Sequence, residues 1–184
     1  MAALQHCGRC GLPGLRFDGA KRYSCPACGW LFYLNSAAAV VAILEVDDKI
    51  LLARRARDPG AGLLDLPGGF VDNGETAEQA LARELAEEIG VTLPESAFRY
   101  LFSVPNTYPF GGISYHTTDF FYLAALSTPP TVADHDEIAS LEFADPRTIH
   151  PASIALPSIR AGLARYAASL PPKPQTGRAD YTSP

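Results

Sequence analysis

Residues 69–91 read GFVDNGETAEQALARELAEEIGV, and this stretch decides the fold and the chemistry. Ala77, Ala80, Leu81, Leu85 and Ile89 recur at helical spacing, which predicts a helix over 76–89 with those residues as its buried stripe. Thr76 is placed to cap its start and Gly90 its end. Asp72-Asn73-Gly74 is a turn signal ahead of it. Leu66-Pro67-Gly68-Gly69 is expected to end a strand and turn into a loop, since glycines permit conformations and close approaches that a Cβ blocks. On the helix, Glu84, Glu87 and Glu88 fall at i, i+3 and i+4 and share one face. Like charges at that spacing repel unless a cation sits on them. Clustered carboxylate oxygens suit a hard divalent ion such as Mg²⁺ or Mn²⁺. Arg83, among these acids, is placed to hold and neutralise them. The bland alternative is a solvated acidic helix face, but it leaves unexplained why Gly69, Glu75, Arg83 and Gly90 stand in register with the carboxylates.

Gly69, Glu75, Arg83-Glu84, Glu87-Glu88 and Gly90 together resemble the Nudix box, with its defining positions filled. The resemblance is specific over these 23 residues and looser over 36–170. It implies an α/β fold, an α/β/α sandwich around a mixed sheet. It also implies hydrolysis of a nucleoside diphosphate linked to another moiety. Glu75 and Arg83 become a supporting pair that orients the ligands. Magnesium (or manganese) is implied on Glu84, Glu87 and Glu88 with the Gly69 carbonyl, where it would offset the diphosphate charge and acidify a water. Glu84 or Glu137 is then the candidate general base. Glu137-Ile138, with Phe143 beyond, resembles the family's further acidic contribution to the metal site. Family members are often dimers, so a homodimer is an expectation of the same kind.

The chain has 184 residues, 47% hydrophobic and 19% charged, with net charge −5. That is ordinary globular composition, and it does not point to a general nucleic-acid surface. No run of about 18 apolar residues suggests a membrane span. MAALQHCGRC lacks the pattern of a secretory signal, so cytoplasm is the expected compartment. The four cysteines, Cys7, Cys10, Cys25 and Cys28, form CxxC, fourteen residues, CxxC, with Gly11 and Gly29 after each pair. This spacing predicts a zinc ribbon whose glycines shape tight knuckles and turn backbone N–H groups toward sulfur. Asp18-Gly19 is the expected hairpin turn between the pairs. Two disulfides or a redox pair are the alternatives. A reducing compartment argues against the first, and the lack of a βαβ context against the second. In so small a module the metal would supply much of the folding energy.

The expected organisation is a zinc ribbon at 1–34, a hydrolase domain at 35–170 and a polar, proline-rich disordered tail at 171–184. Trp30, Phe32 and Tyr33 are expected to pack the ribbon onto the domain. Strands are expected at 37–45, 49–53, 100–104, 115–125 and 141–143, and a closing helix at 153–170. Arg54 or Arg55, ahead of the Asp58-Pro59-Gly60 turn with Arg57, is a candidate for the diphosphate. Residues 105–112 are expected to form an aromatic-rich loop, whose Tyr108 and Phe110 can stack on a base or plug the sheet. His116, His135 and His150 are isolated and are expected to be structural or exposed. A ribbon before a Nudix domain resembles the NADH pyrophosphatase branch, and Ser103, Pro105, Pro109 and Phe110 echo that branch's second motif. Its Gln and Trp are missing here. Prolines and Tyr108 in the same stretch also resemble the ADP-ribose and dinucleoside polyphosphate branches, so the substrate stays open among these. The competing class is a nucleotide sensor whose ribbon contacts a partner; retention of every box carboxylate favours the enzyme. A Nudix-type isomerase finds no supporting nucleophile outside the ribbon.

Overall fold

The computed structural model describes residues 4–110, 113–127 and 129–172. Its N-terminal module is a three-stranded antiparallel sheet of β1 (Arg16–Phe17), β2 (Arg22–Ser24) and β3 (Leu31–Tyr33). The Asp18 carboxylate closes the hairpin by accepting the N–H groups of Ala20, Lys21 and Arg22 at 2.9–3.0 Å. Gly11 and Gly29 are left-handed (φ 73° and 71°) and donate to the carbonyls of Cys7 and Cys25. The N–H that reaches the Cys7 sulfur is that of Arg9, at 3.4 Å, so the knuckle glycines turn the chain and a neighbour solvates the thiolate. Trp30 stacks on Phe32 (5.4 Å between centroids) and lies against Gly8, inside the ribbon, while Tyr33 is exposed.

The larger unit follows with β4 (Ala37–Val46), β5 (Lys49–Arg55), β6 (Leu64–Asp65), β7 (Gly68–Phe70), α1 (Ala77–Ile89), β8 (Arg99–Phe110), β9 (Ile113–Ala125), β10 (Ile138–Ala144) and α2 (Pro157–Ser169). Strand order is β10-β5-β4-β9-β8, with β6 on β5 and β7 on β4. Only β4 and β9 run parallel, so the sheet is mixed. Period-two alternation along β4 makes two cores. Val40, Ala42 and Leu44 pack with Ala80, Leu81, Leu85 and Ile89 of α1. Val41 and Ile43 pack with Phe121 and with Ile159, Leu163 and Tyr166 of α2. One helix therefore covers each face, the α/β/α sandwich that the resemblance implies. Helix α1 has a full capping box between Thr76 and Gln79, and Gly90 ends it at φ 65°. Gly162 brings α2 close to the sheet; a Cβ there would lie 2.3 Å from the Phe121 ring. Neither helix is long and apolar enough to cross a membrane.

Three expectations are corrected. The closing helix begins at Pro157, not Ser153, because Pro157 suits a first turn and keeps the residue before it extended; Ser153 ends a separate 3-10 turn. The expected loop at 105–112 is strand as far as Phe110. Strand β8 lies at the sheet edge, where a proline's missing N–H costs no ladder bond on the open side. The side chain of Phe110, residues 111–112 and most of the expected disordered tail (173–184) lie outside the described residues.

The third correction shapes the molecule. Gly68-Gly69 is a strand, not a turn. β4 and β5 pair only at Glu45↔Ile50 and Val46↔Lys49, then part. Beyond that point β7 pairs with β4 (Val41↔Gly68, Val40↔Gly69) and β6 with β5 (Ala53↔Asp65, Arg54↔Leu64). Gly68, at φ 145°, lies so near β4 that a Cβ would be 2.1 Å from the Val40 carbonyl oxygen. The segment is thus a wedge driven into the sheet, and a crevice opens beside it.

Candidate active site

A cavity of about 470 Å³ occupies this crevice. On one wall, α1 presents Glu88, 9% exposed, whose Oε2 accepts the Gly68 N–H at 3.0 Å. Burial pushes its carboxyl up to about 8, and repulsion from Glu84, Glu137 and Asp65 adds to it. Glu84 also faces the cavity, raised by burial and opposed by Arg83. Gly69 leaves its carboxylate room: a Cβ on Gly69 would lie 2.3 Å from Glu84 Oε1. Arg83 is the organising cation. Its Nε and Nη2 grip Glu75 at 2.8 and 3.0 Å, its Nη1 reaches Glu84 at 2.9 Å and Glu87 at 3.1 Å, and Nη2 also donates to the Phe70 carbonyl at 3.1 Å. That grip holds the Glu75 carboxyl below its ordinary value. Glu75 in turn accepts the Asp72 N–H at 3.1 Å and ties the approach loop to the helix.

The three acids do not share one role. Glu84 and Glu88 line the cavity, whereas Glu87, with a side chain 59% exposed, is held on the rim by Arg83. Glu137 lines the cavity as well, paired with Arg57. The donors facing inward are carboxylate oxygens beside the Gly69 backbone, the hard set that a divalent cation takes. The ribbon offers the soft counterpart. Its four Sγ atoms lie within 4.8 Å of one another, with Cys7–Cys28 and Cys10–Cys25 at 3.7 Å. That is too long for a disulfide, and none of the four is in one. It matches the edge of a tetrahedron with zinc–sulfur bonds of about 2.3 Å.

Of the arginines proposed for the diphosphate, the structure separates neighbours. Arg55 lines the cavity, its Nη1 2.6 Å from Asp65. Arg54 points elsewhere, to the Gly62 carbonyl and Glu142 at 2.7 and 2.9 Å, because consecutive strand residues face opposite ways. Arg57 lines the wall instead. Tyr108 is in the wall, edge-on to Phe70 at 5.9 Å. Asp65, Asn106, Thr117 and Asp119 also line the cavity and were not among the sequence candidates. The available signal was two polar residues, Thr117 and Asp119, in step with Phe121 on a strand's buried face.

The family model of the NUDIX domain matches residues 34–166. The chain is 43% identical over 81 residues to an ADP-ribose pyrophosphatase of Methanocaldococcus jannaschii, covering 44% of this chain and 48% of that protein. It is 35% identical over 109 residues to the NAD-capped RNA hydrolase NudC of Deinococcus radiodurans, covering 57% and 38%. It thus spans less than half the length of these relatives. Among solved structures, a NUDIX hydrolase from Nitrosomonas europaea is similar with TM-score 0.64 and 28% identity over 90% of this chain and 91% of that one. A MutT NUDIX hydrolase from Burkholderia pseudomallei follows at 0.60 and 29%, over 71% and 97%. The matched span holds the split sheet, the carboxylate helix and most of α2, and on that ground the chain belongs to the Nudix family.

Proposed function

We propose that this protein is a divalent-cation-dependent hydrolase that cuts the diphosphate of a nucleoside diphosphate linked to another moiety, of the ADP-ribose or NADH kind. The observation that carries the reading is the buried Glu88, clamped to the Gly68 N–H and lining, with Glu84, a cavity of about 470 Å³. The names of the relatives support the substrate class. The residues that would hold the cation are Glu84 and Glu88 with the Gly69 carbonyl, and Glu87, the third acid of the box, would join them only by giving up its pairing with Arg83. When bound, such an ion neutralises diphosphate charge and makes water more acidic. Arg83, gripped by Glu75, orients Glu84 and Glu87, and the Gly68 N–H orients Glu88. Arg57, whose pairing with Glu137 is exposed, is free to exchange that partner for phosphate oxygens, while Arg55 is held on Asp65. Glu84 or Glu137 takes the proton from the attacking water. Tyr108 offers an apolar face to the rest of the substrate. Residues 1–34 form a structural zinc module on Cys7, Cys10, Cys25 and Cys28, ahead of a catalytic unit over 35–170.

The test is incubation with Mg²⁺ and a panel of NADH, NAD, FAD, ADP-ribose and dinucleoside polyphosphates, scored for nucleoside monophosphate release. Turnover of at least one with strict dependence on the divalent ion is expected. No release from any of them overturns the reading.

A further inference from the structure

Away from the carboxylates, the cavity floor is polar where a strand interior is ordinarily apolar. Thr117 and Asp119 of β9 are 3% and 4% exposed and lie on the face that carries Phe121. Asn106 of β8 stands opposite Thr117 in register. The Thr117 hydroxyl donates to Asp119 Oδ1 at 2.6 Å and fixes the plane of that carboxylate. Asn106 Oδ1 is buried with no hydrogen-bond partner among the described residues, and so is Arg55 Nε. All four residues line the cavity. Buried polar atoms are nearly always paired, and an unpaired acceptor on a residue that lines a cavity marks a place where a ligand can complete the set.

We infer that this floor reads an amino-bearing heterocycle edge, an –NH₂ donor beside an acceptor, with Asn106 and Asp119 as the specificity residues. The inference rests on the nucleotide reading of the cavity and names which part of the nucleotide the floor takes. An Asn amide matches such an edge with two bonds, its oxygen accepting from the amino group and its nitrogen donating to the neighbouring acceptor. An Asn alone discriminates poorly, because turning the amide over exchanges donor and acceptor. Asp119 removes that freedom: a carboxylate only accepts, so a ring carrying oxygen in place of the amino group meets repulsion. Two substrate heads share this chemistry, adenine and the carboxamide of nicotinamide.

The experiment is calorimetric binding of AMP against IMP, and of nicotinamide mononucleotide against its carboxylic acid analogue, to the full chain. Wild type is compared with Asp119→Asn and Asn106→Ala, and thermal melts report whether each variant folds. Wild type should prefer the amino form in at least one pair by on the order of tenfold to a hundredfold. The responding pair identifies the head that seats there. Asp119→Asn, nearly isosteric, should bring that ratio close to one. Equal binding within both pairs, no binding of any of the four at millimolar concentration, or a preference untouched in a folded Asp119→Asn overturns the inference. Hydrolysis is not needed for this readout. A protein that discriminates here but cuts no diphosphate refutes the hydrolase reading and leaves the floor standing; one that cuts diphosphates without discriminating does the reverse.

Discussion

Glu88→Gln should stabilise the protein at alkaline pH in the absence of divalent ion, although it removes a residue of the proposed metal site. The Glu88 carboxyl is pushed from its ordinary 4.5 to about 8 by burial, helped by its acidic neighbours. Between those values the folded chain holds a proton that the unfolded chain has released. The associated stability is fully present below about pH 4.5 and is lost as pH rises through about 8. At roughly 1.36 kcal/mol per unit the ceiling is about 5 kcal/mol, and relaxation of the site should leave about 2–4 kcal/mol. Glutamine carries no proton equilibrium, and its amide oxygen can still accept the Gly68 N–H. Glu84 and Asp65 are also raised by burial, but they titrate in both proteins and cancel to first order in the comparison. Urea unfolding of Mg²⁺-free, zinc-replete protein at pH 4.5 and 8.5 is the assay. The two proteins should agree within about 1 kcal/mol at the lower pH, and the variant should be the more stable at the higher. Added Mg²⁺ should raise wild type at pH 8.5 and leave the variant almost unchanged. A wild type that is as stable as Glu88→Gln at pH 8.5 without Mg²⁺, or a variant that gains as much from Mg²⁺, would refute the reasoning.

Glu84→Gln should lower kcat by about 10²-fold or more at saturating Mg²⁺, and Glu87→Gln, out on the rim, by less. Equal losses in the two would mean that Glu87 leaves Arg83 to join the cation. Gly69→Ala should keep the fold and lose turnover, because the nearest atoms its Cβ meets are those of the movable end of Glu84. Gly68→Ala meets the Val40 backbone at a glycine-only φ and should cost about 3 kcal/mol of stability, read by unfolding. Elemental analysis should find one zinc per chain, and Cys25→Ser should abolish it. Stripping that zinc should lower the melting temperature more than it changes kcat; a metal-free, folded ribbon with four titratable thiols refutes the assignment.

What was legible in the sequence was local. Helix α1 announces itself through a capping threonine, a 3.6-residue apolar stripe and a terminal glycine, all within fifteen residues, and its carboxylates come with it. The ribbon is equally local in its spacing. The rest depends on partners far along the chain. Gly68-Gly69 looks like a turn until β4 is seen to lie under it. Pro105 and Pro109 look like breakers until β8 proves to be an edge. Arg54 and Arg55 are equivalent on paper, and alternation says only that one of them faces away. Asn106 meets Thr117 through a hairpin register that no spacing rule announces.

The split in the sheet explains why two of the acids on α1 behave so differently. In an unbroken ladder each backbone N–H finds a strand partner. At the wedge, the Gly68 N–H instead donates to the Glu88 carboxylate, so a helix side chain takes the place of a ladder acceptor. Glu88 is therefore anchored by the sheet as well as by its helix. That anchorage requires β7 to lie hard against β4, which only a residue without a Cβ permits at position 68. Glu87, one residue earlier, has its described bond only to the Arg83 guanidinium, which it shares with Glu75, Glu84 and the Phe70 carbonyl. An exposed ion pair of that kind contributes little and rearranges easily. The glycine pair thus does more than bend the chain: Gly68 fixes the buried carboxylate, Gly69 leaves room for Glu84, and the carboxylate without a glycine partner is the one left at the rim.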